Sequence, residues 1–283
     1  MILVTGATGT VGRLVTAGLA AAGRPVRAFT RDAARAGLGP GVEVAEGDLD
    51  RPESVRAALD GVDALFALTA GPDAPRHEAL LAAELRRRPV RRVVKLSSVA
   101  ADRPAAGSYG LAHATAERDF ARTGAEWTAL RAAGFMSNVL QWRGSVLAER
   151  AVHQTYGGVP RAVVDPADVA AAAVVCLTTA GHGGRVYRLT GPQALTAPQQ
   201  AERLSALLGH PLRYVEAPRR AAFEAMTGGG LPPAFADGLL DALADPDPAR
   251  GGTPLPTVQD LTGRPPGTFD AWLARHRAAF TAR

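Results

Sequence analysis

The chain begins MILVTGATGTVGR, an apolar stretch that runs straight into a turn with glycine at positions 6, 9 and 12. Few features restrict a fold as tightly. A buried strand that turns at once into a helix needs a residue free to adopt positive φ, and its helix must pack close to the strand. Such a turn also gathers the first unpaired N–H groups of the helix at one point, where the helix dipole adds partial positive charge and a phosphate group fits. Gly6 is expected to make the turn, Gly9 to let the backbone approach a pyrophosphate, and Gly12 to permit close helix packing. Thr8, Thr10 and Val11 share the turn and are assigned with the glycines to dinucleotide binding.

The following residues repeat the strand–helix pattern. PVRAFT, VEVAEGDL, DALFALT, RRVVKLSS and EWTALR read as strands, and the stretches between them carry helical periodicity. Strands that are apolar throughout, rather than alternating, belong to a sheet buried on both faces. The fold class expected is therefore α/β, a Rossmann-type doubly wound parallel sheet. Asp50, Pro52 and Glu53 read as a helix start, with cap, first-turn proline and capping-box acid. Beyond about residue 135 the rhythm breaks. FMSNVLQWRGSVLAE reads as one helix, DPADVAAAAVVCLTT as another with Asp168 as its cap, and RVYRLTG as a strand. Thr196 and Gln199 form a second capping box, and TFDAWLARHRAAF is an amphipathic helix. These patterns place a dinucleotide-binding domain at 1–150 and a smaller α/β substrate domain at 151–283, with the chain crossing back to the sheet near 160–190.

Composition narrows the function classes. With 283 residues, 47% of them hydrophobic, the chain can bury a large core. No apolar run approaches the roughly 18–20 residues of a membrane span, and the N-terminus lacks the basic region of a signal peptide. One cysteine, Cys176 in an apolar run, excludes a disulfide framework and a cysteine zinc cluster, and reads as an inert core thiol. The six histidines have no metal-ligand spacing. A formal charge of +5 and a pI near 10.1 would suit a nucleic-acid binder. The only dense basic run, ELRRRPVRR, instead reads as a solvated helix end and strand entry. The expectation is a cytoplasmic protein, monomer or homodimer, that binds neither nucleic acid nor membrane.

The end of the second strand distinguishes the two dinucleotides. An acidic residue there would bond the ribose 2′-hydroxyl of NAD, whereas arginine accepts the extra phosphate of NADP. Arg31 comes first at the strand's mouth and Arg35 follows one turn later, which favours NADP(H) despite the neighbouring Asp32. In GDL, Asp48 and Leu49 follow the third strand, and Asp48 either reaches the adenine amino group or caps a turn. Thr69 and Ser97 end strands four and five, where an open α/β sheet lines its ligand crevice. Trp142 is assigned to the cleft wall.

Together LVTGATGTVG, TRDAARA, GDL, VVKLSS, AEWTALRAAGFMSN, YRLTGPQALT and LTGRPPGTFDAWLARHRAAF resemble the NmrA-like proteins, an atypical branch of the short-chain dehydrogenase/reductase superfamily. The resemblance runs along nearly the whole chain. It implies a Rossmann domain that binds NADP(H) and a small C-terminal domain walling the cleft. Members of that family are either NADPH-dependent reductases of quinones, enones or aromatic ethers, or redox-sensing regulators without turnover. By the same resemblance GFMSN lies near the nicotinamide, with Gly134 and Phe135 on the cofactor, Met136 walling the site and Asn138 orienting substrate or cofactor; the alternative is a helix start that packs the two apolar side chains, Phe135 and Met136.

Hydride transfer to a carbonyl leaves an oxyanion that requires a proton donor. Ordinary members of the superfamily use Tyr-x-x-x-Lys. Here the only lysine, Lys95, lies on the fifth strand, so that arrangement is excluded by counting. Tyr109 is followed four residues later by His113, on the same helix face. The pair reads as catalytic, with His113 donating directly or its cation stabilising a tyrosinate, or else as helix packing and cleft rim. The expected function is an NADPH-dependent oxidoreductase that reduces a small hydrophobic carbonyl, quinone or enone. The alternative is a non-catalytic NADP(H)-sensing regulator.

Overall fold

Uninterrupted apolar strands require cover on both faces, and the architecture supplies it. The structure, a computed structural model, describes residues 1–104, 109–245, 247 and 251–281. Its elements begin with β1 (Ile2–Val4), α1 (Thr10–Ala21), β2 (Val26–Thr30), β3 (Val42–Glu46), α2 (Pro52–Ala58), β4 (Ala64–Ala67), α3 (Ala74–Arg87), β5 (Arg92–Ser98), α4 (Tyr109–Ala121) and β6 (Glu126–Ala132). They continue with α5 (Arg143–Glu149), β7 (Ala151–Gln154), α6 (Pro166–Thr178), β8 (Arg185–Leu189), α7 (Ala197–Leu208), β9 (Arg213–Glu216), α8 (Arg219–Gly228), α9 (Pro233–Ala244), α10 (Thr257–Thr262) and α11 (Phe269–His276).

Seven strands form one sheet in the order β3-β2-β1-β4-β5-β6-β8, and every neighbouring pair is parallel. This is the doubly wound Rossmann-type sheet. Period-two alternation sends Val4, Phe66 and Val94 to one face, where Val15 and Leu19 of α1 and Ala173 and Cys176 of α6 cover them. Leu3, Leu65 and Val93 face the other way, onto Val55 of α2, Leu81 and Leu85 of α3 and Phe120 of α4. Burying each such side chain contributes about 1.5–3 kcal/mol. Between β1 and β4 the sheet's carboxyl edge opens into the crevice that receives a dinucleotide in such folds.

After β6 the chain leaves the sheet through a 3-10 turn at Met136–Trp142, α5 and β7. It returns through α6 and β8, then departs again. The outer elements share a core of their own, in which Met136, Trp142, Val146 and Val152 meet Leu204 of α7 and Trp272 of α11. A two-stranded parallel sheet of β7 and β9 completes that layer. Among the described residues no helix is long and apolar enough to cross a membrane.

Several local expectations need correction. FMSNVLQWRGSVLAE does not wind as one helix, because its start is held by backbone pairing: Met136 N–H donates to the Val164 carbonyl at 2.9 Å. Only the part from Arg143 is α-helical. The N-cap of α2 is Arg51, with no side-chain cap, since the Asp50 carboxylate is engaged by Arg76 and His77 of α3. Asp165, not Asp168, caps α6, accepting from Ala167 N–H at 2.9 Å. Asp168 lies three positions past the cap, inside the first turn, and instead accepts from Gly267 N–H at 2.7 Å. The capping box of Thr196 and Gln199 is present. Within ELRRRPVRR, Arg92 is buried, donating to the Leu177 carbonyl at 2.8 Å and pairing with Glu126. The short β7 and β9 and helices α8 and α10 carry little sequence signal, and residues 246 and 248–250 of the Pro/Gly-rich segment 228–266 lie outside the described residues. Cys176 is fully buried, which pushes its thiol up to about 12 and leaves it inert.

Candidate active site

The glycine turn is built as its sequence requires. Gly6 has φ of +60°, and a Cβ there would lie 2.4 Å from Leu68 Cδ2. At Gly12 a Cβ would lie 2.1 Å from the Gly6 carbonyl oxygen, so the helix's first turn closes directly on the loop. Gly9 is the N-cap of α1 and offers no capping side chain. The first-turn amides are therefore left for a ligand, and Gly9, Thr10 and Val11 line a cavity. Thr8 is exposed beside them. This cradle fits a dinucleotide pyrophosphate.

The cavity, about 630 Å³, runs from the turn past Thr69 at the end of β4 and Ser97 on β5 to Phe135 and Asn138. Tyr109 and His113 of α4 form one wall, and Phe235, Gly238 and Leu239 of α9 close the far side. Its surface is mostly apolar. Met136 and Trp142 do not reach it: both are buried in the outer core, with Trp142 Nε1 donating to Gln154 Oε1 at 3.3 Å. Gly134 precedes Phe135 and accepts from Val164 N–H at 2.8 Å. Arg31 and Arg35 stand exposed on the loop after β2, outside the cavity, and Arg35 pairs with Asp32 at 3.5 Å. Asp48 closes its own turn, accepting from Asp50 N–H at 3.0 Å, and Leu49 packs on the core beneath.

Below the Tyr109–His113 wall lies a polar cluster that reading along the sequence does not assemble. Lys95, dismissed by counting because it lies on a strand, is 1% exposed and projects from β5 toward α3 and α4. Its ammonium donates to Glu78 Oε1 at 2.7 Å and to the Leu96 carbonyl at 3.0 Å, and lies 3.4 Å from His113 Nδ1. Glu78, itself buried, also accepts from Thr69 Oγ1 at 2.8 Å. Two signals were available. An ammonium in an apolar two-sided strand demands a partner, and Glu78 shares the helix face of buried Leu81, Ala82 and Leu85. Farther back, Ser97 donates to Glu117, which binds Arg131, and Arg131 and Arg188 share Asp102.

These surroundings set the protonation states. Burial, helped by the charges of Lys95 and Arg131, lowers the His113 pKa to about 3, so its ring is neutral near pH 7. A neutral ring supplies no cation to stabilise a tyrosinate, which favours direct donation by His113. Burial, with the Glu78 carboxylate nearby, raises the Tyr109 pKa against a hydrogen bond to Ser98, so its hydroxyl keeps its proton. The rings of Tyr109 and His113 meet edge to face at 4.6 Å.

An NAD(P)H-binding family profile matches residues 6–180. The chain belongs to this NAD(P)H-binding family. Over 99% of both chains it is 42% identical to a (4-alkanoyl-5-oxo-2,5-dihydrofuran-3-yl)methyl phosphate reductase of Streptomyces griseus. It is 37% identical to an NAD(P)H azoreductase of Xenophilus azovorans over the full length of both. Among solved structures, an NADPH-dependent quinone oxidoreductase from Escherichia coli complexed with NADPH superposes with a TM-score of 0.83 at 27% identity, covering 98% of this chain and 100% of that one. The family member described here is an NAD(P)H-dependent oxidoreductase of the atypical short-chain branch, on a Rossmann-type sheet.

Proposed function

We propose that this oxidoreductase reduces a small, uncharged, conjugated carbonyl compound, an enone or a quinone, with NADP(H) as its preferred cofactor. The observation that carries the reading is the continuity of the glycine cradle with an apolar chamber that has hydrogen-bond donors on one wall. When bound, the cofactor supplies the hydride. The protein binds and orients. Gly9, Thr10 and Val11 hold the pyrophosphate, Arg31 and Arg35 take the 2′-phosphate, Thr69 and Ser97 line the crevice floor, and Phe135 flanks the nicotinamide end. Phe235 and Leu239 cover one face of the acceptor with apolar surface. Tyr109 and neutral His113 donate hydrogen bonds to the oxygen on which negative charge develops, and water in the open part of the cavity delivers the final proton.

The relatives' named acceptors, an acyl-dihydrofuranone phosphate, an azo compound and a quinone, are electron-poor conjugated systems, which supports the class. No arginine or lysine lines the cavity among the described residues. An uncharged acceptor therefore fits better than a phosphate ester. We read residues 1–150 as the cofactor half and 151–283 as the smaller substrate half, with 160–190 crossing back, in a cytoplasmic monomer or homodimer.

The test is NADPH oxidation, followed by nicotinamide absorbance, across a panel of quinones, enones and their phosphate esters. Turnover of uncharged acceptors in preference to esters is expected. Silence across the panel, with bound NADPH demonstrated by its fluorescence, would transfer the reading to a non-catalytic NADP(H) sensor.

A further inference from the structure

We propose that Lys95 and Glu78 act as a positioning pair that holds His113 in the tautomer protonated at Nε2, making its ring a fixed hydrogen-bond donor toward the acceptor's oxygen. The inference rests on the reading of the Tyr109–His113 wall given above.

An ammonium has donors and no acceptor. Lys95 can therefore approach His113 Nδ1 at 3.4 Å only when that nitrogen presents its lone pair, and a neutral ring must then carry its hydrogen on Nε2. At 3.4 Å the bond is long, but the opposite tautomer would set an Nδ1–H against the ammonium, and that repulsion adds to the preference. Lys95 is itself immobilised by Glu78 at 2.7 Å and the Leu96 carbonyl at 3.0 Å, and Glu78 is braced by Thr69 at 2.8 Å. Thus α3, the segment that follows β4, and β5 together fix one nitrogen of a ring on α4. Lys95 does not line the cavity, whereas His113 and the edge of Glu78 do, so Lys95 acts through the ring and not on the substrate.

The other charged groups around His113 leave this arrangement undisturbed. Arg131 of β6 is committed to Glu117 of α4 and to Asp102 of the 3-10 turn that precedes α4. On α9, Asp237 and Asp241 pair with Arg219. Tyr109, on the same helix as His113, stays protonated.

The acceptors differ in how much they need this donor. Reduction of an enone forms a new C–H bond at the β-carbon and leaves an enolate oxygen, whereas hydride transfer to a quinone leaves a less basic hydroquinone anion that water protonates readily. A positioned donor therefore matters more for enones.

Nitrogen NMR of the protein with 15N-labelled histidine, assigned with His113→Gln, reads the tautomer without any turnover. The expected wild-type result is a protonated Nε2 and a bare Nδ1, unchanged from pH 5 to pH 8. A ring protonated at Nδ1, or one that titrates within that range, would overturn the proposal. Lys95→Met alone strands a buried carboxylate and would unsettle the fold itself. The Glu78→Gln/Lys95→Met double variant removes both charges while leaving Thr69 a partner. In it the His113 signals should shift toward mixed tautomers, and enone turnover should fall about tenfold at similar KM with quinone turnover within about twofold. An unchanged His113 spectrum together with an unchanged enone-to-quinone ratio would equally overturn the proposal. Failure of the reductase reading looks different: wild-type protein would turn over no acceptor whatever the histidine spectrum showed.

Discussion

The two ends of the crevice are made of different material. The cofactor end is made of backbone: three glycines, a helix start without a capping side chain, and amides directed at one point. The acceptor end is made of side chains brought from α3, β5, α4 and α9, which are separated by up to about 160 residues of chain. A backbone site depends on what is absent, namely the Cβ atoms. A side-chain site depends on which partners are present, and can be retuned one residue at a time. The contrast accounts for a family whose cofactor is shared while the named acceptors of its members differ.

The largest effect expected from breaking either end is at Gly12. A methyl group there would lie 2.1 Å from the Gly6 carbonyl oxygen, a backbone atom that cannot swing aside. Gly12→Ala should cost about 3 kcal/mol or more and abolish NADPH binding. Gly9→Ala, where the nearest contact is 3.3 Å, should be clearly milder. Thermal melting and NADPH fluorescence titration would measure both. Equal tolerance of the two would mean that the turn is not the tight cradle described.

The acceptor end should dominate the pH dependence of stability. His113 has an ordinary pKa of 6.5 when unfolded but one of about 3 in the native protein. Between those values the unfolded chain binds a proton that the native chain does not. Stability therefore falls as pH drops from about 6.5 toward 3, and rises as pH increases through the same window. The slope from this ring approaches about 1.4 kcal/mol per pH unit. His182 is shifted the same way by burial, so the check is a difference: urea unfolding of wild type against His113→Gln across that range. The variant should show the flatter profile. Parallel profiles would mean that His113 is not held neutral by its surroundings.

What was legible in the sequence follows the same division. LVTGATGTVG announces its turn because only glycine satisfies positive φ and a 2.1 Å approach, and the runs of apolar strand residues announce a two-sided sheet. Tyr109 and His113 were legible because helical spacing of four is local. Lys95 was visible as the only lysine, yet its meaning depended on Glu78 arriving from another helix. Met136 and Trp142 were misplaced for a related reason. The backbone pairing of Met136 with Val164 turns both side chains into the outer core, and no local pattern encodes that pairing. Phe235 and Leu239 follow a Pro/Gly-rich stretch more than a hundred residues beyond α4, and only the tertiary fold places them over the cavity.

That placement gives a sharper test of the acceptor end. Phe235 lies 6.2 Å from the Tyr109 ring, edge to face, and forms part of the cavity's far wall. Phe235→Ala should raise the acceptor KM about tenfold, equivalent to about 1.4 kcal/mol, and leave NADPH affinity unchanged. If NADPH affinity fell with it, the two ends would not be separable and the comparison would fail.

The smallest effect expected is at the cofactor end's exposed contact with the 2′-phosphate. Arg31 is exposed and makes no ion pair among the described residues, so its removal should not disturb the fold. An exposed guanidinium that meets a phosphate gains only a modest, salt-screened interaction. Arg31→Ala should therefore weaken NADPH binding by about fivefold at low salt, less at high salt, and leave NADH binding as it was. Arg35, already paired with Asp32, should contribute less than Arg31 when replaced. Equal loss of both cofactors would place Arg31 on the common part of the dinucleotide instead of the 2′-phosphate. Equal tolerance would leave the choice between the two cofactors to the rest of the crevice and bring its cofactor end closer to a purely backbone site.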